Sequence, residues 1–181
     1  MFHPLPNSPQ QFAITLSELL ASRDARQARQ QTWLQSHQVT LISFTVVIPG
    51  PVKDNQRVRD IFNQGLCALK QVVSERQWVI IAQQSLALTS GPECLVAVNA
   101  PAKEVKQRMI EAEQQFAVGR LWDFDVFTAQ GQLLSRQQLG VTERRCLVCD
   151  QPAKVCARQR THSLSEILNQ IEVLANASIN H

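Results

Sequence analysis

The stretch Gly119-Arg120-Leu121-Trp122-Asp123-Phe124-Asp125-Val126-Phe127 decides the fold, because two carboxylates two residues apart interrupt a run of large apolar side chains. Strand side chains alternate faces with a period of two. As a strand, the run sends Asp123 and Asp125 to one face and Trp122, Phe124 and Val126 to the other. Asp is disfavoured in strands, and two like charges side by side repel each other and resist burial. They need a cation, an arginine or solvent. A divalent ion such as Mg²⁺, held by one or two carboxylates together with substrate phosphates, meets that need. The plain alternative is a half-exposed strand with a polar outer face. Just upstream, Gly119-Arg120 sets a close-approach residue beside a cation suited to phosphate.

Outward from this strand, the pattern predicts an alternation of helices and strands. After a proline-rich lead (Pro4, Pro6, Pro9), Thr15-Leu16-Ser17-Glu18 has the form of a capping box. It opens a helix that turns Leu16, Leu19 and Leu20 inward and continues or restarts from Arg23 to Trp33. Leu41 to Ile48 is β-branched and strand-like, closed by Pro49-Gly50-Pro51. Asp54 is placed to cap a second helix, whose Val58, Ile61, Phe62, Leu66, Leu69, Val72 and Val73 recur at helical spacing. Trp78 to Thr89 and Cys94 to Val98 are two further strands. A third helix, about Lys103 to Phe116, carries Val105, Met109, Ala112 and Phe116 as its stripe. A short hairpin partner is expected around Gln132 to Leu134, then a cysteine-rich loop. The last helix opens at the capping box Ser163-Leu164-Ser165-Glu166 and buries Leu164, Ile167, Leu168, Ile171 and Leu174.

This order is not a regular βαβ alternation. It favours an α+β two-layer domain with a mixed or antiparallel sheet flanked by helices. The 181 residues suit one domain, 1–181, with a Cys/Arg-rich segment 144–162 and a C-terminal helix about 164–176. The longest apolar run is too short for a bilayer span of about 20 residues. The start Met1-Phe2-His3-Pro4-Leu5 lacks the regions of a signal peptide. A soluble cytoplasmic protein without a membrane partner is the expectation.

Arginine outnumbers lysine in a chain of formal charge +3. The planar guanidinium fork bonds two phosphate oxygens at once. Arg23, Arg26 and Arg29, with Gln30 and Trp33, share one side of the first helix. They form either a solvated face relieved by Asp24 or a cationic ridge along a phosphate-rich pocket. The stiff loop Ile48 to Asn55 delivers Lys53 to a helix N-terminus, which favours anions, though its spacing is not that of a Walker loop.

Three of the five cysteines crowd into one segment. Cys146-x2-Cys149, then Cys156 and His162, have the donor set of a tetrahedral Cys₃His zinc site, with the second half at the edge of usual spacing. Alternatively the cysteines pack as small apolar residues. Arg144, Arg145, Arg158 and Arg160 in the same segment could grip a phosphorylated substrate or an acidic partner. Neither a Gly-x-Ser-x-Gly elbow nor a Gly-x-Gly-x-x-Gly run is present, and Ser135-Arg136 has no evident His partner.

Several motifs in one order resemble a known family. Ser43-Phe44-Thr45-Val46-Val47-Ile48-Pro49-Gly50-Pro51-Val52-Lys53, Gly119 to Val126, Arg145-Cys146-Leu147-Val148-Cys149, Cys156-Ala157-Arg158 and His162 are similar to holo-citrate lyase synthase, the apo-citrate lyase phosphoribosyl-dephospho-CoA transferases. The resemblance implies transfer of a prosthetic group from 2′-(5″-triphosphoribosyl)-3′-dephospho-CoA to a serine of the apo-acyl carrier protein, the gamma subunit of citrate lyase, with release of pyrophosphate. It implies catalysis by Asp123, Asp125 and Arg120 with Mg²⁺, and donor phosphates held by Arg26, Arg29, Lys53, Arg136, Arg145 and Arg158. Nucleic acid is not the expected partner.

A nucleotidyltransferase-like fold stays open on this sequence. Such enzymes usually place a Gly-Ser or Gly-Gly pair about ten residues before the Asp-x-Asp strand, and here Gly119 is immediately upstream. Glu93, Glu111 and Glu143 are candidates for a third carboxylate. Two other readings compete: a zinc-stapled binding module for a carrier protein or nucleic acid, and the equivalent transferase for malonate decarboxylase.

Overall fold

The computed structural model describes residues 3–7 and 12–177; Pro9 and the Met1-Phe2 start lie outside the described residues. The helices are α1 (Leu16–His37), α2 (Gln56–Glu75), α3 (Ala102–Gln115), α4 (Ala153–Gln159) and α5 (Leu164–Ala177). The strands are β1 (Thr40–Val46), β2 (Val79–Leu86), β3 (Glu93–Asn99) and β4 (Trp122–Phe127). They form one four-stranded sheet of order β2-β3-β1-β4, antiparallel throughout. The α+β two-layer expectation holds, with the antiparallel alternative realised.

Alternation along the central strands builds two unlike faces. Ile42 and Phe44 of β1, Cys94, Val96 and Val98 of β3, and Trp122, Phe124 and Val126 of β4 are buried. Against them lies the apolar stripe of α2, with Val58, Ile61, Phe62, Leu66, Leu69 and Val73 buried, joined by Val105 and Met109 of α3. Phe44 stacks between Phe62 at 4.8 Å and Phe124 at 4.3 Å between ring centroids. α2 comes this close because position 65 is glycine: a Cβ there would sit 2.3 Å from Phe44 Cζ. Trp122, fully enclosed, donates its indole N–H to the Ile61 carbonyl at 3.0 Å, so its polar atom is satisfied.

The opposite face is polar. Glu93 of β3, Thr45 of β1 and Asp123 of β4 form one row across three strands; Leu95, Ser43 and Asp125 form the next. α1 lies over this face and buries none of its own residues. Leu16 and Leu20, expected inward, are exposed, because α1 meets a hydrophilic surface and its apolar side chains gain nothing there.

Other departures have local causes. The α2 N-cap is Asn55, whose side chain accepts the Val58 N–H at 2.9 Å, while Asp54 binds Arg59 through both oxygens at 2.8 and 2.7 Å. Gly119, Arg120 and Leu121 belong to a 3₁₀ turn, Ala117–Leu121, and not to the strand. A Cβ on Gly119 would come within 2.6 Å of the Glu113 carbonyl oxygen, so the close approach this glycine permits is to α3. The hairpin partner reduces to one bridge, Phe127 to Leu133, and the cysteine-rich loop contains α4. Both capping boxes form, at Thr15/Glu18 and at Ser163/Glu166. On α5 Ile171 is buried, but Leu164 and Leu168 stay exposed at 44% and 38%. Among the described residues no helix is long and apolar enough to cross a membrane.

Candidate active site

Asp123 and Asp125 sit on the polar face of β4, an edge strand, half-buried while their apolar neighbours are buried. The free edge of β4 would normally present unpaired backbone groups. Here α3 caps it. Lys106 Nζ donates to the Phe124 carbonyl at 2.7 Å, and Glu113 Oε1 accepts the Phe124 N–H at 3.2 Å. The peptide between the two aspartates is therefore clamped from both ends by buried charged side chains.

Burial pushes the Asp125 carboxyl up to about 6, and the Asp123 charge adds to the rise; Lys106, Arg144 and Arg26 pull the other way. Burial likewise lowers the Lys106 ammonium against the opposing pull of Glu113 and Asp125. It raises Glu113, which Arg144 and Arg136 hold toward the anion. These groups share one electrostatic neighbourhood, in which Lys106, Arg144 and Arg26 oppose the rise of a buried carboxyl. Perturbed groups of this kind cluster where chemistry is done.

Arginines surround the pair. Arg144 Nη2 is 3.0 Å from Asp123 Oδ1 and 2.8 Å from Glu113 Oε1. Arg136 binds the other oxygen of Glu113. Arg26 and Arg29 of α1 reach Glu93 at 2.8 and 2.5 Å, and Gln30 Nε2 donates to Ser43 Oγ at 2.8 Å. A cleft of about 610 Å³ opens beside this group, lined by Arg120, Arg136, Arg144, Arg145 and Glu113.

The predicted residues divide accordingly. Asp123, Asp125 and Arg26 come together, and Arg29 lies with Arg26 on Glu93. Arg120 Nη2 instead donates to the carbonyls of Cys146 at 2.6 Å and Arg145 at 3.3 Å. Lys53 binds the Ile48 carbonyl close to Arg23; burial, then the Arg23 charge, lowers its ammonium. Arg145 pairs with Asp150 at the surface, and Arg158 is exposed in the last turn of α4. Of the third-carboxylate candidates, Glu93 shares the polar face as partner of two arginines. Glu111 pairs with Arg108 and Glu143 with Lys154. Glu113, Lys106 and the particular role of Arg144 were missed. The first two carry a signal: both lie among the apolar positions of α3, where a charge needs a buried partner.

The cysteines converge. One donor atom each from Cys146, Cys149, Cys156 and His162 lies within 4.8 Å of the others. Cys149 Sγ is 3.5 Å from Cys156 Sγ and 3.2 Å from His162 Nε2. Tetrahedral zinc with Zn–S of about 2.3 Å places sulfurs about 3.8 Å apart, so the donor set and spacing fit. Burial works to raise the Cys146 thiol, yet the N–H groups of Val148 and Cys149 and the neighbouring sulfurs bring it below its ordinary value. The cluster has the donor set and the convergence that a metal-binding site needs.

The chain is thus a two-layer α+β domain with paired carboxylates on the sheet face beneath α1 and arginines around them, a set of groups suited to phosphate-bearing substrates. The profile of the family described as apo-citrate lyase phosphoribosyl-dephospho-CoA transferase matches residues 14–178, and the chain belongs to that family. It is 48% identical over 174 residues to proteins of that name from Escherichia coli O157:H7, Shigella sonnei and Shigella boydii serotype 18, covering 96% of this chain and 95% of each relative.

Proposed function

We propose that this protein transfers the 2′-(5″-phosphoribosyl)-3′-dephospho-CoA group from 2′-(5″-triphosphoribosyl)-3′-dephospho-CoA to a serine of the apo-acyl carrier protein, the gamma subunit, of citrate lyase. The serine oxygen bonds to the phosphorus nearest the ribose, the bond from that phosphorus to the bridging oxygen breaks, and pyrophosphate leaves; the hydroxyl proton passes to solvent or a base. The observation that carries this reading is the Asp123/Asp125 pair beside an arginine-lined cleft in a chain of this family.

Asp123 and Asp125 are oxygen donors on one face, which suits Mg²⁺. When bound, Mg²⁺ would neutralise charge on the triphosphate and on the departing pyrophosphate. The chain's own residues supply the rest. Arg120, Arg136 and Arg145 on the cleft wall hold donor phosphates, with Arg26, Arg29, Lys53 and Arg158 extending the cationic surface toward the donor and the carrier. Lys106 and Glu113 fix the peptide that presents both aspartates, so little reorganisation is left to the reacting state. Cys146, Cys149, Cys156 and His162 would hold zinc, which when bound would have a structural part, closing the segment that carries Arg144 and Arg145.

Purified protein incubated with donor, Mg²⁺ and apo-carrier protein tests the reading. Release of pyrophosphate with a gain in carrier mass equal to the prosthetic group supports it; an unchanged carrier mass overturns it. Running the malonate decarboxylase carrier in parallel separates the two acceptors.

A further inference from the structure

Two adjacent carboxylates need a counter-charge even when no divalent ion is bound. Most nearby cations are committed elsewhere. Lys106 Nζ is on the Phe124 carbonyl, Arg26 and Arg29 are on Glu93, and Arg136 is on Glu113. Among the described residues, the one salt bridge to either member of the pair is that of Arg144 with Asp123, at 3.0 Å. The same nitrogen reaches Glu113 at 2.8 Å, so its grip on Asp123 is shared. The Arg144 side chain keeps 28% of its surface exposed, against 2% for Glu113, and both line the arginine cleft.

The backbone of Arg144 is anchored. Its carbonyl accepts the Ala153 N–H at 2.9 Å, and the Cys146 N–H donates to the Gln151 carbonyl at 2.7 Å. Arg145 bridges to Pro152, and Arg120 holds the Cys146 carbonyl. A hydrogen-bonded cysteine knuckle thus presents a long, partly exposed side chain at the border between the carboxylate pair and the cleft.

We propose that Arg144 is a surrogate cation, holding Asp123 until a divalent ion takes that oxygen and then turning, still anchored at Glu113, onto the phosphate chain of the donor. Charge balance supports the exchange. The one salt bridge to the pair is shared with Glu113 and undercompensates two carboxylates, whereas a divalent ion would compensate both and let the arginine, kept at Glu113, meet the anion that arrives with it. The inference rests on the proposed function in one respect, the divalent ion at Asp123 and Asp125.

The test is Mn²⁺ titration of the full-length protein, followed by electron paramagnetic resonance, with inorganic tripolyphosphate as the anion probe. Without the anion, Arg144→Gln binds Mn²⁺ about fivefold or more tightly than the parent, a coupling of ordinary size between linked sites. Arg144→Lys, which keeps the charge, stays within about twofold of the parent by the same measure. With Mn²⁺ present, Arg144→Gln binds tripolyphosphate about tenfold or more weakly. A merely structural arginine would weaken both ligands. Unchanged or weaker Mn²⁺ binding by Arg144→Gln overturns the surrogate role and leaves the metal reading standing. Parent Mn²⁺ binding no stronger than that of an Asp123→Asn, Asp125→Asn double variant overturns both.

Discussion

Glu113 Oε1 accepts the N–H of Phe124, the residue between Asp123 and Asp125, at 3.2 Å. Lys106 holds the carbonyl of the same residue at 2.7 Å. A strand edge that would otherwise be an open template for pairing becomes the fixed mount of the site. Removing one clamp should register in both stability and charge.

Lys106→Met leaves a buried carbonyl without its donor. The expected cost is about 1–3 kcal/mol, read as a fall in melting temperature of roughly 2–4 °C per kcal/mol for a chain of this size. Differential scanning calorimetry checks it; an unchanged melting temperature would show that water replaces the lysine without loss.

The Asp125 carboxyl should titrate near 6 in the metal-free protein, against an ordinary value of 3.8. Its folded pKa lies above the unfolded one, so between these values the unfolded chain binds fewer protons. This residue's contribution therefore falls as pH rises from about 4 through about 6. Carboxyl-carbon NMR follows the midpoint directly. Lys106→Met should move it upward, since Lys106 favours the carboxylate. A midpoint near 4 in the parent protein would contradict the burial argument.

Asp123→Asn should reduce turnover by about 10²–10³-fold or more, as expected when a group stabilising transition-state charge is lost. The side chain is half-exposed on the polar face, so the fold should survive. Circular dichroism and pyrophosphate release, measured together, distinguish a chemical defect from unfolding.

Cys149→Ser removes one donor of the Cys₃His cluster and, on the zinc reading, should loosen the position of Arg144. Metal analysis of the native protein is expected to find one zinc per chain. The variant should contain none and should cleave faster in limited proteolysis between 144 and 162. Equal protease resistance would mean that hydrogen bonds alone hold the segment.

Gly65→Ala is the change the core should tolerate least. Its Cβ would lie 2.3 Å from Phe44 Cζ and 3.1 Å from Trp122 Cδ1, both in fully buried rings. Overpacking of this kind costs about 1–3 kcal/mol, occasionally more. Urea unfolding gives the value, and a loss below about 0.5 kcal/mol would show that α2 can slide away from the sheet.

Periodicity made the core legible in advance. Trp122, Phe124 and Val126 alternate with the two aspartates, and the seven apolar positions named in α2 lie at helical spacing; six of them are buried, with Val72 at the margin. The cysteine spacing likewise identified a convergent donor set. Long-range pairing was not legible. Nothing local in Glu93 says that Arg26 and Arg29 will meet it, and nothing local in Glu113 says that it will face Arg136 and Arg144. Those contacts depend on how α1 and α3 cross the sheet. α1 was misread at Leu16 and Leu20 for the same reason. Inward burial was assumed, while the surface beneath it, set by Ser43, Thr45, Glu93 and the aspartates, is hydrophilic.

That hydrophilic contact has a thermodynamic consequence. α1 is held over the sheet by ion pairs and an amide–hydroxyl bond, and none of its side chains is buried. A charged ligand entering beneath it exchanges hydration for polar contacts and leaves the apolar interior undisturbed. Calorimetry of such entry should show a small heat-capacity change, since that signature tracks burial of apolar surface.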